Sequence, residues 1–141
     1  MLICIDSCVF IRAFEAPSSD AALLISVLTP KLPVVIPRLV ALEVSRNLRS
    51  AEHLHTFYRI FSEKSGALII DFPVPDDLVA SYVIRGMRAK GDAYIGAFAE
   101  WFHVSHLISD NRHFLRELRT DAYQLLTPGN FLQLLRDNSP L

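Results

Sequence analysis

Short apolar runs alternate along this chain with longer segments in which apolar residues recur at helical spacing. Five runs have the length and character of buried strands: LICI (2–5), PVVIP (33–37), ALIID (67–71), SHLIS (105–109) and YQLLT (123–127). The segments between and after them predict helices at 7–14, 17–30, 38–50, 51–64, 75–88, 92–102, 111–119 and 128–137. This alternation predicts an α/β protein with a three-layer α/β/α arrangement, in which helices cover both faces of a parallel sheet.

Composition narrows the class of protein. The chain has 141 residues, 51% of them hydrophobic, and no repeat or linker, so we expect a single domain over residues 1–141. Its net charge of -1 excludes a broad basic surface, so a polyanion partner must be held by a local patch or through metal ions. The two cysteines, Cys4 and Cys8, indicate reduced thiols in a cytoplasmic protein. The short apolar run at the N-terminus predicts neither a signal peptide nor a membrane span.

Two acids directly follow predicted strands. Asp6 comes after LICI, and Asp110 comes after the run that ends at Ser109. An Asp in such a place is often only a turn former or a helix cap. However, open parallel sheets place their sites beyond the carboxyl ends of the strands, so neighbouring strands would bring both acids to one crevice.

Two predicted helices can add further acids to this crevice. Glu43 lies in a largely apolar stretch of the helix over 38–50, which suggests that it points into a cleft. Asp92 begins the helix over 92–102, and Gly96 follows one turn later on the same face. A glycine inside a helix costs about 1 kcal/mol of stability relative to alanine. We expect that close approach of backbone or substrate to Gly96 offsets this cost.

Four converging carboxylates would repel one another unless a cation neutralised them. Oxygen ligands alone favour Mg2+ or Mn2+ over zinc. Mg2+ keeps positions open for water and for a substrate phosphate. The chemistry that corresponds to such a site is metal-assisted hydrolysis of a phosphodiester.

The order of these motifs resembles a known family. ICIDSCVF, PRLVALEVSRNL, KGDAYIGAFAE and LISDNRHF follow one another as in the PIN-domain nucleases, particularly the small VapC-like toxins of toxin–antitoxin pairs. The resemblance extends from residue 2 to about residue 127. It implies a five-stranded parallel sheet and an acidic Mg2+ or Mn2+ site that cleaves RNA. The catalytic and metal-binding acids that it implies are Asp6, Glu43, Asp92 and Asp110.

The resemblance also assigns supporting positions. Ser7 matches the hydroxyl residue that commonly follows the first acid, and Ser109 matches a hydroxyl residue before the fourth. Asn111, which follows that fourth acid, is a further supporting position of the site. The chain departs from the family pattern at Cys8, where Asn or Ser is frequent, and at Gly96, where Ala is frequent.

Substrate and partners follow from the same resemblance. Arg46, Lys90 and Arg112 lie near the acids in sequence and are candidates for contacts with an RNA backbone; the alternative is ordinary solvated charge on helices. The resemblance implies a homodimer and a cognate antitoxin. Phe57 and Phe61 broaden the apolar face of the helix over 51–64, which forms either an exposed patch together with the helix at 20–29 or part of the core.

Two other functions compete with a metal-dependent endoribonuclease. A phosphatase of the haloacid dehalogenase type also begins with a strand and an Asp, but it needs a second Asp two residues later, where this chain has Cys8. A catalytically silent PIN-like module that binds RNA or protein would share the fold. Four intact acids argue against it, because a silent site has no reason to keep carboxylates that repel one another.

Overall fold

The computed structural model describes residues 1–62, 65–88 and 91–139. Within these ranges every predicted strand and helix has a counterpart. The strands are β1 (Ile3–Ile5), β2 (Val34–Pro37), β3 (Ala67–Ile70), β4 (His106–Ile108) and β5 (Gln124–Leu126). The helices are α1 (Ser7–Glu15), α2 (Asp20–Ser26), α3 (Arg38–Asn47), α4 (Ala51–Arg59), α5 (Asp76–Ile84), α6 (Asp92–Trp101), α7 (Arg112–Glu117) and α8 (Pro128–Asp137).

The five strands form one parallel sheet in the order β3-β2-β1-β4-β5. The three inner strands are fully buried, which explains their continuous apolar sequence, whereas β3 and β5 at the edges are partly exposed. After β1, the chain adds β2 and β3 on one side of it and then β4 and β5 on the other side. The order of strands therefore reverses between β1 and β4, and this is the point at which open α/β sheets bind ligands.

Helices pack in two groups, as the outer layers of an α/β/α fold require. Contacts join α1 to α2 and α3, and α2 to α8, while α5 packs on α6. Phe57 of α4 is fully buried and meets Phe10 of α1 edge to face at 5.2 Å between ring centroids. Phe61 also packs against both rings, so the core accounts for these two phenylalanines. None of the described helices is long and apolar enough to cross a membrane.

Several helices are shorter than the sequence predicted. The segment predicted over 75–88 is helical only from Asp76 to Ile84. It ends there because Gly86 adopts a left-handed backbone with φ of 98°, and the amide of Met87 returns to the carbonyl of Tyr82 at 3.1 Å. A glycine in this position closes a helix without the steric cost that a Cβ would bring.

Candidate active site

Asp6 lies where the strand order reverses. Its amide donates to the carbonyl of Ile108 at 2.9 Å, which fixes the end of β1 against the end of β4. Its side chain caps α1 by accepting from the amide of Ser7 at 2.7 Å, so the turn-former explanation is correct as far as it goes. The second carboxylate oxygen accepts from the hydroxyl of Ser109 at 2.8 Å. The side chain is buried, with 4% of its surface exposed.

Glu43 reaches the same place from α3. Its Oε2 accepts from the Ser7 hydroxyl at 2.6 Å, whereas the same hydroxyl lies 3.4 Å from Asp6 Oδ1. The other oxygen of Glu43 faces the start of α6, where a Cβ added to Gly91 would lie 3.8 Å from it. Ser7 thus connects the first acid to the second, although 36 residues separate it from Glu43.

Asp92 is the first residue of α6 and makes no side-chain cap bond, because Gly91 is the N-cap. The common structural reason for an Asp at a helix start therefore does not apply to it. Its Oδ1 accepts from the side-chain amide of Asn111 at 3.1 Å. Its Oδ2 is buried and has no hydrogen-bond partner among the described residues. A buried oxygen without a donor is costly, so this atom is suited to accept from a ligand.

Hydrogen bonds connect the three acids into one chain of contacts. The amide of Asn111 donates to the Ser109 hydroxyl at 2.9 Å, and that hydroxyl donates to Asp6. Asn111 then holds Asp92 through its side chain. The three positions that were expected to support the acids, Ser7, Ser109 and Asn111, all contact one of them.

Burial dominates the electrostatics of this site. It raises the pKa of Asp6 from 3.8 to about 6, although the hydrogen bonds from Ser109 and Ser7 act in the opposite direction. The negative charges of Glu43 and Asp92 raise that pKa further. A neighbouring cation would reverse this balance, because it favours the ionised carboxylate.

Asp110, the fourth acid, is placed differently. It is exposed and lines a polar groove of about 540 Å³ together with Arg12 and Thr127. Its charge raises the pKa of Cys8 rather than that of Asp6. The structure therefore brings Asp6, Glu43 and Asp92 together. It places Asp110 on the exposed side of the carboxyl end of β4.

Cys8 contributes to the site more than the sequence suggested. Its thiol lies 3.6 Å from Asp6 Oδ2 and 3.6 Å from the Ser109 hydroxyl. Burial, followed by the charge of Asp6, raises the pKa of this thiol to about 12, so it stays protonated at neutral pH. The thiol acts as a weak donor to the first acid, in the place where the family pattern often has a stronger one.

Two of the three candidate RNA contacts lie on the surface of the described part of the protein. Arg46 is exposed on α3 three residues after Glu43, and Arg112 is exposed at the start of α7. Lys90 lies outside the described residues. Nearby, Arg88 Nη2 donates to Nε2 of His113 at 3.0 Å, a contact that the sequence pattern did not reveal.

Gly96 allows a close approach, as the sequence predicted, but by the protein itself and not by substrate. A Cβ at this position would lie 2.8 Å from two ring carbons of Tyr82, and the Tyr123 hydroxyl donates to the carbonyl of Gly96 at 3.1 Å. The space beside Gly96 is therefore filled by the protein and not by substrate. The cost of glycine in α6 is offset by the close packing of α5 on α6.

The donor set fits a hard divalent cation. No group of three or more His, Cys, Asp or Glu side chains in the described part of the chain is close enough to hold a metal by itself. Each acid is held by a neutral donor, and the unpartnered oxygen of Asp92 provides a further ligand atom. Carboxylate and hydroxyl oxygens are the ligands of Mg2+ and Mn2+. Asp6, Glu43 and Asp92 offer oxygens of this kind, although among the described residues they do not form a ready-made three-ligand site.

Comparisons with known proteins agree with this architecture. The family model described as PIN domain matches residues 3–118 of the chain. A search of curated proteins found no match to this chain. Among solved structures, its fold is similar to that of a chain in the crystal structure of VapBC2 from Rickettsia felis, bound to a DNA fragment from the promoter. The TM-score is 0.61 and the identity 16%, over 90% of this chain and 98% of that chain.

Proposed function

The chain belongs to the PIN domain family, and on that basis we propose that it is a metal-dependent endoribonuclease that hydrolyses RNA phosphodiester bonds. The observation that carries the proposal is the buried oxygen of Asp92 that has no partner in the described part of the chain, beside two further acids at the reversal of strand order. A bound cation would offset the repulsion between the carboxylates and would also give the Asp92 oxygen a partner.

The roles of the residues follow from their contacts. Asp6, Glu43 and Asp92 hold Mg2+ or Mn2+, and the exposed Asp110 is the fourth acid of the proposed site. Ser7 fixes the carboxylate of Glu43, and Ser109 fixes that of Asp6. Asn111 occupies one oxygen of Asp92 and so presents the other one to the ion.

When bound, the ion supplies an activated water, polarises the phosphoryl oxygen and stabilises the leaving alkoxide. We therefore assign no side chain as general base. Asp6 must lose its proton before the ion binds, because its carboxyl is partly protonated near pH 6 in the protein alone. Exposed Arg46 and Arg112, together with Lys90, contact the RNA backbone in this proposal.

The test is cleavage of RNA by the purified protein in Mn2+, in Mg2+ and in EDTA, with structured and unstructured substrates. We expect Asp6→Asn and Asp92→Asn to lower the rate by about 100-fold or more. Asp121→Asn, a change at an exposed acid away from the site, serves as the matched control and should leave the rate unchanged. Asp110→Asn measures what the exposed fourth acid contributes.

Cleavage that persists in EDTA, or in both Asn variants, would contradict the proposed mechanism. A protein that binds RNA in Mn2+ without cutting it would instead be the silent binding module. The two results are distinguished by gel analysis of the same end-labelled substrate.

We further propose that the protein is the toxin of a toxin–antitoxin pair, acts in the cytoplasm and forms a homodimer. The family resemblance and the similarity to VapBC2 support the pair. Two exposed apolar side chains, Leu23 within α2 and Val27 directly after it, are available for a protein contact. Both cysteines are free thiols, as in a reducing compartment. Growth arrest on expression, its relief by the product of a neighbouring short gene, and a dimeric mass by light scattering are the expected results.

A further inference from the structure

A second groove opens at the carboxyl ends of β2 and β3. Its volume is about 260 Å³, and it is lined by Arg38, Leu39, Ile70, Asp71, Phe72 and Tyr94, among others. Arg38 follows β2 directly, and Asp71 and Phe72 follow β3 directly. Phe72 has 67% of its surface exposed, which is unusual for a phenylalanine beside a groove.

This groove shares two helices with the candidate active site. Leu39 lies one turn before Glu43 on α3, and residues four apart share a helix face. Tyr94 is two residues after Asp92 in the first turn of α6. The groove, at the ends of β2 and β3, and the acids, around the ends of β1 and β4, thus lie at the same carboxyl edge of the sheet.

The walls of the groove are held in place. The amide of Val74 donates to the Tyr94 hydroxyl at 3.4 Å, which ties the segment after β3 to α6. Arg38 and Asp71 form an ion pair at 3.0 Å, but their side chains are 61% and 71% exposed. Such exposed pairs are worth little, so the guanidinium can also contact a phosphate or a base.

We propose that this groove binds one unpaired base of a single-stranded RNA beside the cleavage site, with the base stacked on Phe72. The inference rests on the proposed function and names the substrate class. The groove is smaller than the sites of drug-sized ligands, so it suits a single planar group. Bases that are not paired stack on exposed aromatic rings, whereas bases within a duplex are not free to do so.

The chemistry favours RNA over a protein partner. Phe72 and Arg38 line the same groove, so it offers both a stacking surface and a positive charge. A chain with net charge -1 must hold a polyanion by such local charges. Leu68 on β3 is also exposed, so a protein interface at this edge is the alternative that the experiment must exclude.

The experiment measures binding of a short unstructured RNA that contains one 2-aminopurine, in EDTA so that no cleavage occurs. The same oligonucleotide annealed to its complement is the duplex comparison. We expect Phe72→Ala to weaken single-strand binding on the order of tenfold and to abolish the stacking quench of 2-aminopurine, while Phe72→Trp retains both. Ile84→Ala removes another highly exposed apolar side chain and should bind like the unchanged protein.

Equal single-strand affinity for Phe72→Ala and Ile84→Ala would overturn the inference, as would an unchanged protein that binds no RNA. A Phe72→Ala protein with unchanged RNA affinity but an altered mass by light scattering would assign the ring to a protein interface. The outcomes for catalysis are separate. If Phe72→Ala cleaves RNA with an unaltered KM, the base-binding inference is wrong and the nuclease proposal stands. If binding depends on Phe72 but no cleavage occurs, the nuclease proposal is wrong and the base-binding inference stands.

Discussion

Asp6 shows how one side chain can serve both the fold and the site. It caps α1, yet its burial raises its pKa to about 6, so in the metal-free protein the neutral form is favoured at mildly acidic pH. A group whose pKa is raised on folding stabilises the protein below its unfolded pKa, and this stabilisation is lost as the pH rises through the folded pKa. For Asp6 the window runs from about pH 4 to somewhat above pH 6.

We therefore predict that the metal-free protein loses stability as the pH rises through this window, by up to about 3 kcal/mol from Asp6 alone. Asp6→Asn should remove that part of the pH dependence, because the amide stays neutral. Urea unfolding in EDTA between pH 4 and pH 8 measures the effect. Asp121→Asn is the control and should keep the full slope; if Asp6→Asn keeps it as well, the assignment to Asp6 is wrong.

At the scale of elements, the contact between α5 and α6 depends on one glycine. Gly96→Ala would place a Cβ 2.8 Å from the Tyr82 ring, so we predict a loss of about 1–3 kcal/mol in the free energy of unfolding. In a Tyr82→Leu background the same change should be neutral or stabilising by up to about 1 kcal/mol, because alanine is the better helix former. A double-mutant cycle by thermal or urea unfolding makes the comparison. Equal effects of Gly96→Ala in both backgrounds would contradict it.

The elements themselves could be predicted from the sequence because their signals are local. Runs such as LICI are continuous and apolar since inner parallel strands are buried on both faces. Helix ends were less predictable: α2 ends at Ser26, whereas the apolar pattern continues towards Pro30. The reason is that a helix end depends on capping bonds and on tertiary packing as well as on periodicity.

The site could be predicted only in part, because tertiary contacts as well as local signals build it. Acids that directly follow strands, such as Asp6, are visible in the sequence. The bond from Ser7 to Glu43 joins residues 36 positions apart, and the groove at Phe72 combines three separate segments. No periodicity encodes such contacts, so neither the approach of Tyr82 to Gly96 nor the groove could be predicted.

At the scale of the whole molecule, the proposed ion would join β1, α3 and α6, which come from distant parts of the chain. A ligand that binds only the folded state stabilises it by about 2.7 kcal/mol at 100 times its dissociation constant, or roughly 5–10 °C in the melting temperature of a domain of this size. We predict that Mn2+ produces such a rise at pH 7.5, where Asp6 is largely ionised. Asp92→Asn should abolish the rise, because it replaces the unpartnered oxygen, whereas Asp121→Asn should preserve it. Scanning calorimetry with a Mn2+ titration measures both, and an equal rise in all three proteins would show that the ion binds elsewhere.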